Sequence, residues 1–259
     1  MAEKSTPFYY VETANSKTAV AVYVNDVLVH TDRLARNSQK RTSINQWIHG
    51  GTNRLKVNIT VPPLLDEVPD DLNASFRVVE YIRTGEDLQQ KECTAVSWKY
   101  DAEKTMPVIE TAPFERGIDV DSWYWYDADQ FNEATLPLGE IKHVVNEFYT
   151  VLDGKDMDAL ENLLEIKSRE MAIAFGIPLE ERFSDQRKFF ENLFSKSDWG
   201  MQPPDLDGFF IYYHAEGRLI EVIDRAASPI LHSKPLGGDS KFMLSLYLAH
   251  KNGKWVLCR

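Results

Sequence analysis

The spacing of apolar residues changes twice along this chain, and that change constrains the fold more than any other feature. Through the first hundred residues it is period two, between residues 141 and 194 it is helical, and from about residue 208 it is period two again. Half-buried strands and amphipathic helices produce these two spacings. The clearest strand is 54–61, where Leu55, Val57, Ile59 and Val61 share one face and Lys56, Asn58 and Thr60 the other. A shift of one residue in its pairing would expose the whole apolar face. Residues 18–24, 27–30, 74–83 and 91–100 read as further strands, with Asn25-Asp26 as a hairpin turn and Pro62-Pro63 as a stop. Thr31 to Ser43 reads as a polar stretch, and His49-Gly50-Gly51 as a turn before a strand.

Ile141, Val144, Val145, Phe148, Tyr149 and Leu152 form one wide helical stripe, ended by Gly154. Asp156 is the N-cap of the next helix, which buries Leu160, Leu163 and Leu164 and stops near Gly176 and Pro178. A third helix over 179–195 buries Leu179, Phe183, Phe190 and Phe194. Strands follow at 208–214, 218–223, 230–232, 242–250 and 254–258, with turns at Glu216-Gly217 and Asn252-Gly253. The expected fold class is α+β. It comprises an antiparallel β-sandwich over 1–105, an acidic and aromatic linker over 106–137, and helices packed on an antiparallel sheet over 138–259.

Two segments carry resemblances at the level of fold. Val24-Asn25-Asp26-Val27, Ile44 to Ile48 and Gly51-Thr52-Asn53-Arg54-Leu55 follow a strand, "VNG" hairpin, short helical turn and Gly-Asn loop. In that order they resemble the galactose-binding-like jelly-roll β-sandwiches, with Asp26 in place of the usual glycine. The resemblance implies the fold and transfers no sugar-contacting residue. Leu138 to Arg259 looks like the NTF2-like α+β cone, through Val144 to Tyr149, Asp156 to Leu164 and the closing strand Gly253 to Leu257. The resemblance implies a curved sheet around a pocket. That family holds both enzymes and binding modules, so fold alone does not assign function.

Charge narrows the function classes. The chain has 29 Lys and Arg against 40 Asp and Glu, a net charge of −11, which repels phosphate backbones and argues against nucleic acid as the partner. No window is apolar and long enough to span a membrane, and no signal-peptide run opens the chain. With Met1 as the native start, the expected compartment is the cytoplasm. Cys93 and Cys258 read as free, buried thiols. There is no GxSxG, Walker, GxGxxG, HExxH or CxxC motif, so no metal and no cofactor is assigned.

Two groups of candidate residues remain. Tyr212, His214, Glu221, His232, Met243, Ser245 and Tyr247 lie on strands that could line a cone pocket and supply acid/base or ligand-binding groups. The plainer reading is rim polarity. Trp123, Tyr124, Trp125, Tyr126, Asp127 and Asp129 form an aromatic run among acids, read either as a partner surface or as packing against the rest of the chain. Arg33, Arg36, Lys40 and Arg41 read as a solvated basic face. The leading expectation is a non-catalytic, bacterial, immunity- or adaptor-like protein that binds a protein partner or small ligand, with a homodimer through the C-terminal sheet as one form. The alternatives are a small-molecule hydrolase or isomerase and a glycan-binding module. An enzyme requires a buried His–carboxylate pair in a deep pocket, a glycan binder requires exposed, coplanar aromatics on the sandwich, and a protein binder requires an exposed apolar patch with a polar rim. For the site itself, the hairpin turn at 216–217 puts Glu221 opposite Tyr212, so a Tyr–Glu pair is expected before a His–Glu pair.

Overall fold

The structure is a computed structural model that describes residues 6–33, 36–61, 72–85, 87–101, 103, 106–116 and 123–259. Pro62-Pro63 and the acids Asp119 and Asp121 lie outside them. The chain divides into two compact units, 1–122 and 123–259. The described residues form three helices and fourteen strands in four antiparallel sheets, a mixed α+β protein. No described helix is long and apolar enough to cross a membrane.

The first unit contains β1 (Phe8–Ser16), β2 (Ala19–Val24), β3 (Val27–Asp32), β4 (Ser38–Ser43), β5 (Gly51–Thr60), β6 (Asn73–Thr84), β7 (Asp87–Lys99) and β8 (Val108–Arg116). They make two four-stranded sheets, β4-β1-β6-β7 and β3-β2-β5-β8. Alternate residues are buried: Val20, Val22 and Val24 on β2, and Leu55, Val57 and Ile59 on β5. Asn25 and Asp26 both take positive φ, 50° and 62°, so the hairpin turn is of type I′ despite the missing glycine. Asp26 is held by Lys56 at 2.8 Å and by Arg54. Asn53 is buried and ties the following loop together. Its Nδ2 donates to the His49 and Gly51 carbonyls, and its Oδ1 accepts from Asn25 at 2.8 Å.

Three strands depart from the sequence reading. β1, not read as a strand, pairs with both β4 and β6. β4 lies inside the stretch read as polar loop. β8 falls inside the expected linker but is hydrogen-bonded to β5 throughout, with Phe114 buried. β8 is an edge strand, and this is where Pro113 is tolerated.

The second unit contains α1 (Leu138–Asp153), α2 (Met157–Phe175) and α3 (Leu179–Phe194), followed by β9 (Phe210–His214), β10 (Leu219–Ile223), β11 (Leu231–His232), β12 (Met243–Leu244), β13 (Leu246–Lys251) and β14 (Lys254–Leu257). Asp156 caps α2 by accepting from the Ala159 N–H at 3.1 Å. Gly176 ends it with φ 63°. The main sheet runs β14-β13-β10-β9, and β11 pairs only with β12. The expected strand 242–250 is thus split at Ser245. Ile141, Val145, Phe148, Leu152, Leu160 and Leu164 pack on Ile220, Val222, Leu246, Leu248 and Leu257.

Cys93 is half-buried in the first unit and Cys258 is buried in the second; both are free thiols. Burial raises the pKa of each, most strongly for Cys258, where the Glu170 charge adds to it. Native iodoacetamide labelling followed by mass spectrometry should therefore mark Cys93 well before Cys258. Faster modification of Cys258 would contradict this burial.

Candidate functional site

The β9–β10 hairpin positions the polar residues of the second unit. Its turn, Ala215 to Gly217, has three successive positive φ angles of 48°, 58° and 87°. At Gly217 a Cβ would stand 2.0 Å from the Phe131 carbonyl oxygen, so only glycine fits. Phe131 also donates its N–H to the Gly217 carbonyl at 3.0 Å, which pins the turn. The resulting register places Leu219 opposite His214 and Glu221 opposite Tyr212. On its other side Glu221 stands opposite Tyr247 of β13.

Tyr212, Glu221 and Tyr247 therefore form a row across three strands. The expected register is present, but the hydrogen bond follows the diagonal: His214 Nε2 lies 3.1 Å from Glu221 Oε2. Diagonal neighbours on one sheet face remain within reach of long side chains, which corrects the preference for a Tyr–Glu pair over a His–Glu pair. A carboxylate only accepts, so this contact requires the proton on Nε2. Tyr247 also hydrogen-bonds Glu221; burial first, then the Glu221 charge, drives its phenol pKa far up, so it stays protonated. The His214 and Tyr247 rings sit 5.6 Å apart. His214 is only 3% exposed, and Tyr212 is the member of the group that faces solvent most.

The other pocket candidates are not part of this cluster. His232 pairs with Met243 in the separate β11–β12 ladder, with its Nδ1 3.2 Å from the Ser233 carbonyl. Met243 is exposed and Ser245 is half-buried between β12 and β13.

The aromatic run is mostly packing. Trp123 and Trp125 are each 1% exposed, so neither can present a partner surface as expected. Arg259 lies 4.9 Å over the Trp123 ring. The Tyr124 N–H donates to the Glu170 carboxylate, and its hydroxyl donates to the Lys251 carbonyl at 3.3 Å. Asp127 and Asp129 pair with Lys251 and His250 at 2.6 and 2.7 Å. Burying large aromatics while satisfying the backbone around them keeps this segment on α2 and β13. Only Tyr126, Asp127 and Asp129 remain exposed.

Sequence reasoning passed over the exposed aromatic edge. β9 is the last strand of its sheet, and Phe210 and Tyr213 on it are 56% and 38% exposed. An edge strand offers unpaired backbone N–H and C=O groups to another chain. The signal was Phe209 to Tyr213, an aromatic-rich run without the alternation of a strand buried on one face. Among the described residues of the first unit, the exposed large apolar ones are Leu88 and Ile109, both aliphatic. Its Tyr10–Tyr81 and Trp98–Tyr100 pairs are edge-on, at 82° and 74°, and offer no coplanar aromatic platform. No family model matches the chain, and no curated protein or solved structure matches it.

Proposed function

We propose that the chain is a non-catalytic binding protein, immunity- or adaptor-like, that captures a protein partner along β9. A jelly-roll sandwich followed by an NTF2-like domain is the architecture proposed for it. The observation that carries the reading is the exposed aromatic edge formed by Phe210, Tyr212 and Tyr213. Addition of a strand would satisfy the open backbone groups, and the aromatic rings would supply anchors. The net charge of −11 favours a partner with a basic segment.

The Phe210→Asp, Tyr213→Asp double variant should weaken a protein partner recovered with the wild-type chain by about tenfold or more. Added salt should weaken the wild-type complex. Retained affinity in the double variant, with an unchanged circular dichroism spectrum, would remove the reading. A self-associating chain that becomes monomeric in the same variant would instead assign the edge to a second copy.

The His214–Glu221 pair favours a second reading, a small-molecule hydrolase or isomerase. Against it, His214 is buried and its Nε2 is taken up by Glu221, so the imidazole orients a carboxylate rather than facing a substrate. Glu221→Gln should leave partner binding intact. Loss of a turnover in Glu221→Gln, with the fold retained, would favour the enzyme.

A further inference from the structure

We propose that the first unit carries a further docking surface, a groove along β1 that takes an extended, acidic peptide segment of a partner protein. The groove encloses about 560 Å³, and Glu12, Ala14, Lys40, Arg41, Ser75 and Arg77 line it. Strand register brings these residues together, because alternate residues share one face of a sheet. Glu12 stands opposite Arg41 of β4 and Arg77 of β6, and Ala14 stands opposite Gln39 and Ser75. The short side chains of Ala14 and Ser75 leave a trough beside the charged row. Past Ala14 and Gln39 it continues into a stretch of about 410 Å³ lined by Ser16, Asn37, Ser38 and Asn73. From Glu12 to Ser16, β1 is about 13 Å long, the span of about five extended residues.

The charged end holds two guanidiniums in place. Glu12 Oε1 accepts from Nε and Nη2 of Arg41 at 3.0 and 2.8 Å, and its Oε2 accepts from Nη2 of Arg77 at 2.7 Å. The Arg41 guanidinium also lies over the Tyr10 and Tyr81 rings, at 5.3 and 4.7 Å. Both arginine side chains are nonetheless about half open to solvent. A fork already fixed in this way loses little further freedom when a carboxylate binds it. Lys40, Arg41 and Arg77 against Glu12 make the groove locally basic within a chain of net charge −11. It therefore selects the opposite sign of partner from the one the whole chain attracts. The carboxylates among these cations narrow the class. Glu12 sits between the two arginines, and Glu92 lies 4.0 Å from Arg77, so a uniform polyanion would meet negative charge along the same row. A peptide spaces its carboxylates and puts amides between them, which the amides and hydroxyls of the second stretch can bond. A neutral glycan would leave the guanidiniums unused. The groove belongs to the first unit and does not depend on what β9 binds.

The test is titration of the isotope-labelled full chain with a peptide of about eight alternating Glu and Ser residues, to millimolar concentration, read by backbone amide NMR shifts. Parallel titrations use the Gln-Ser and Lys-Ser analogues and a heparin hexasaccharide. Saturable shifts are expected for the Glu-Ser peptide, centred on Glu12 to Ser16 and Asn37 to Arg41 and reduced by added salt. Arg77→Gln should weaken that binding about fivefold or more, and so should Lys40→Gln, an exposed residue whose loss leaves the Glu12 contacts in place. Arg54→Gln, on β5 of the other sheet, should leave it unchanged. If Arg77→Gln fails to fold, Lys40→Gln decides. Absence of saturable shifts with the Glu-Ser peptide, equal binding of the Gln-Ser or Lys-Ser analogue, tighter binding of heparin, or undiminished binding in the folded variants would each overturn the proposal.

Discussion

Phe148→Ala should destabilise the second unit by about 3–5 kcal/mol. The ring is 2% exposed, at the centre of the α1 stripe, and packs in the cluster that joins the helices to β10, β13 and β14. Its removal loses apolar burial and leaves a cavity that the surrounding helices cannot close. Lys142→Ala, six residues earlier on the polar face, should cost less than about 0.5 kcal/mol. Its partner Asp207 is almost fully exposed, so water competes for the pair at 2.7 Å. Native-state hydrogen exchange of the α1 amides reads the two variants without interference from the first unit. Equal loss of protection in the two would remove the amphipathic assignment of α1.

The parts of the fold legible in the sequence were those where one physical rule acts alone. β5 alternates cleanly because only one face is buried, and α1 shows an unbroken stripe for the same reason. Asp156 and Asn252-Gly253 were readable because capping and tight-turn chemistry are local: Asp156 caps α2, and Asn252 and Gly253 take φ 55° and 74°. β1 escaped because its buried face continues from Tyr9 and Val11 into Thr13 and Asn15, so burial alternates while hydrophobicity does not. β4 escaped because it is an edge strand of polar residues held by pairing with β1.

The site was legible to the level of register and no further. Turn chemistry gave the opposition of Tyr212 and Glu221, but the reach of the His214 ring decided which hydrogen bond formed. The aromatic run failed for a different reason. Trp123 and Trp125 look alike whether buried or exposed, and the decision rests with partners far along the chain. For Trp123 one such partner is Arg259, and for Tyr124 it is Glu170. Exposure at Phe210 and Tyr213 likewise follows from β9 having a neighbour on one side only.

That long-range dependence makes Glu170→Ala the second substitution of large effect, with an expected loss of about 3–5 kcal/mol. Glu170 is buried and accepts from the Tyr124 N–H and from Arg259 Nη1. Arg259 also donates to the Cys258 carbonyl at 2.6 Å and lies over Trp123, so its guanidinium is fixed and cannot turn to water. Removing the carboxylate takes a charged acceptor from a buried guanidinium and leaves the Tyr124 backbone N–H without its acceptor, and each of these is costly. Glu170→Gln keeps an acceptor but loses the charge, so its loss should be smaller. Arg169→Ala, next in sequence but on an exposed pair with Glu165 at 2.8 Å, should cost under about 0.5 kcal/mol. Thermal unfolding followed by near-ultraviolet circular dichroism reads all three, since Trp123 reports on the same cluster. A Glu170→Met, Arg259→Met double variant should recover part of the loss, because it removes both charges together. If Glu170→Ala cost no more than Arg169→Ala, the 123–126 segment would be held by ring burial alone and not by the ion pair beneath it.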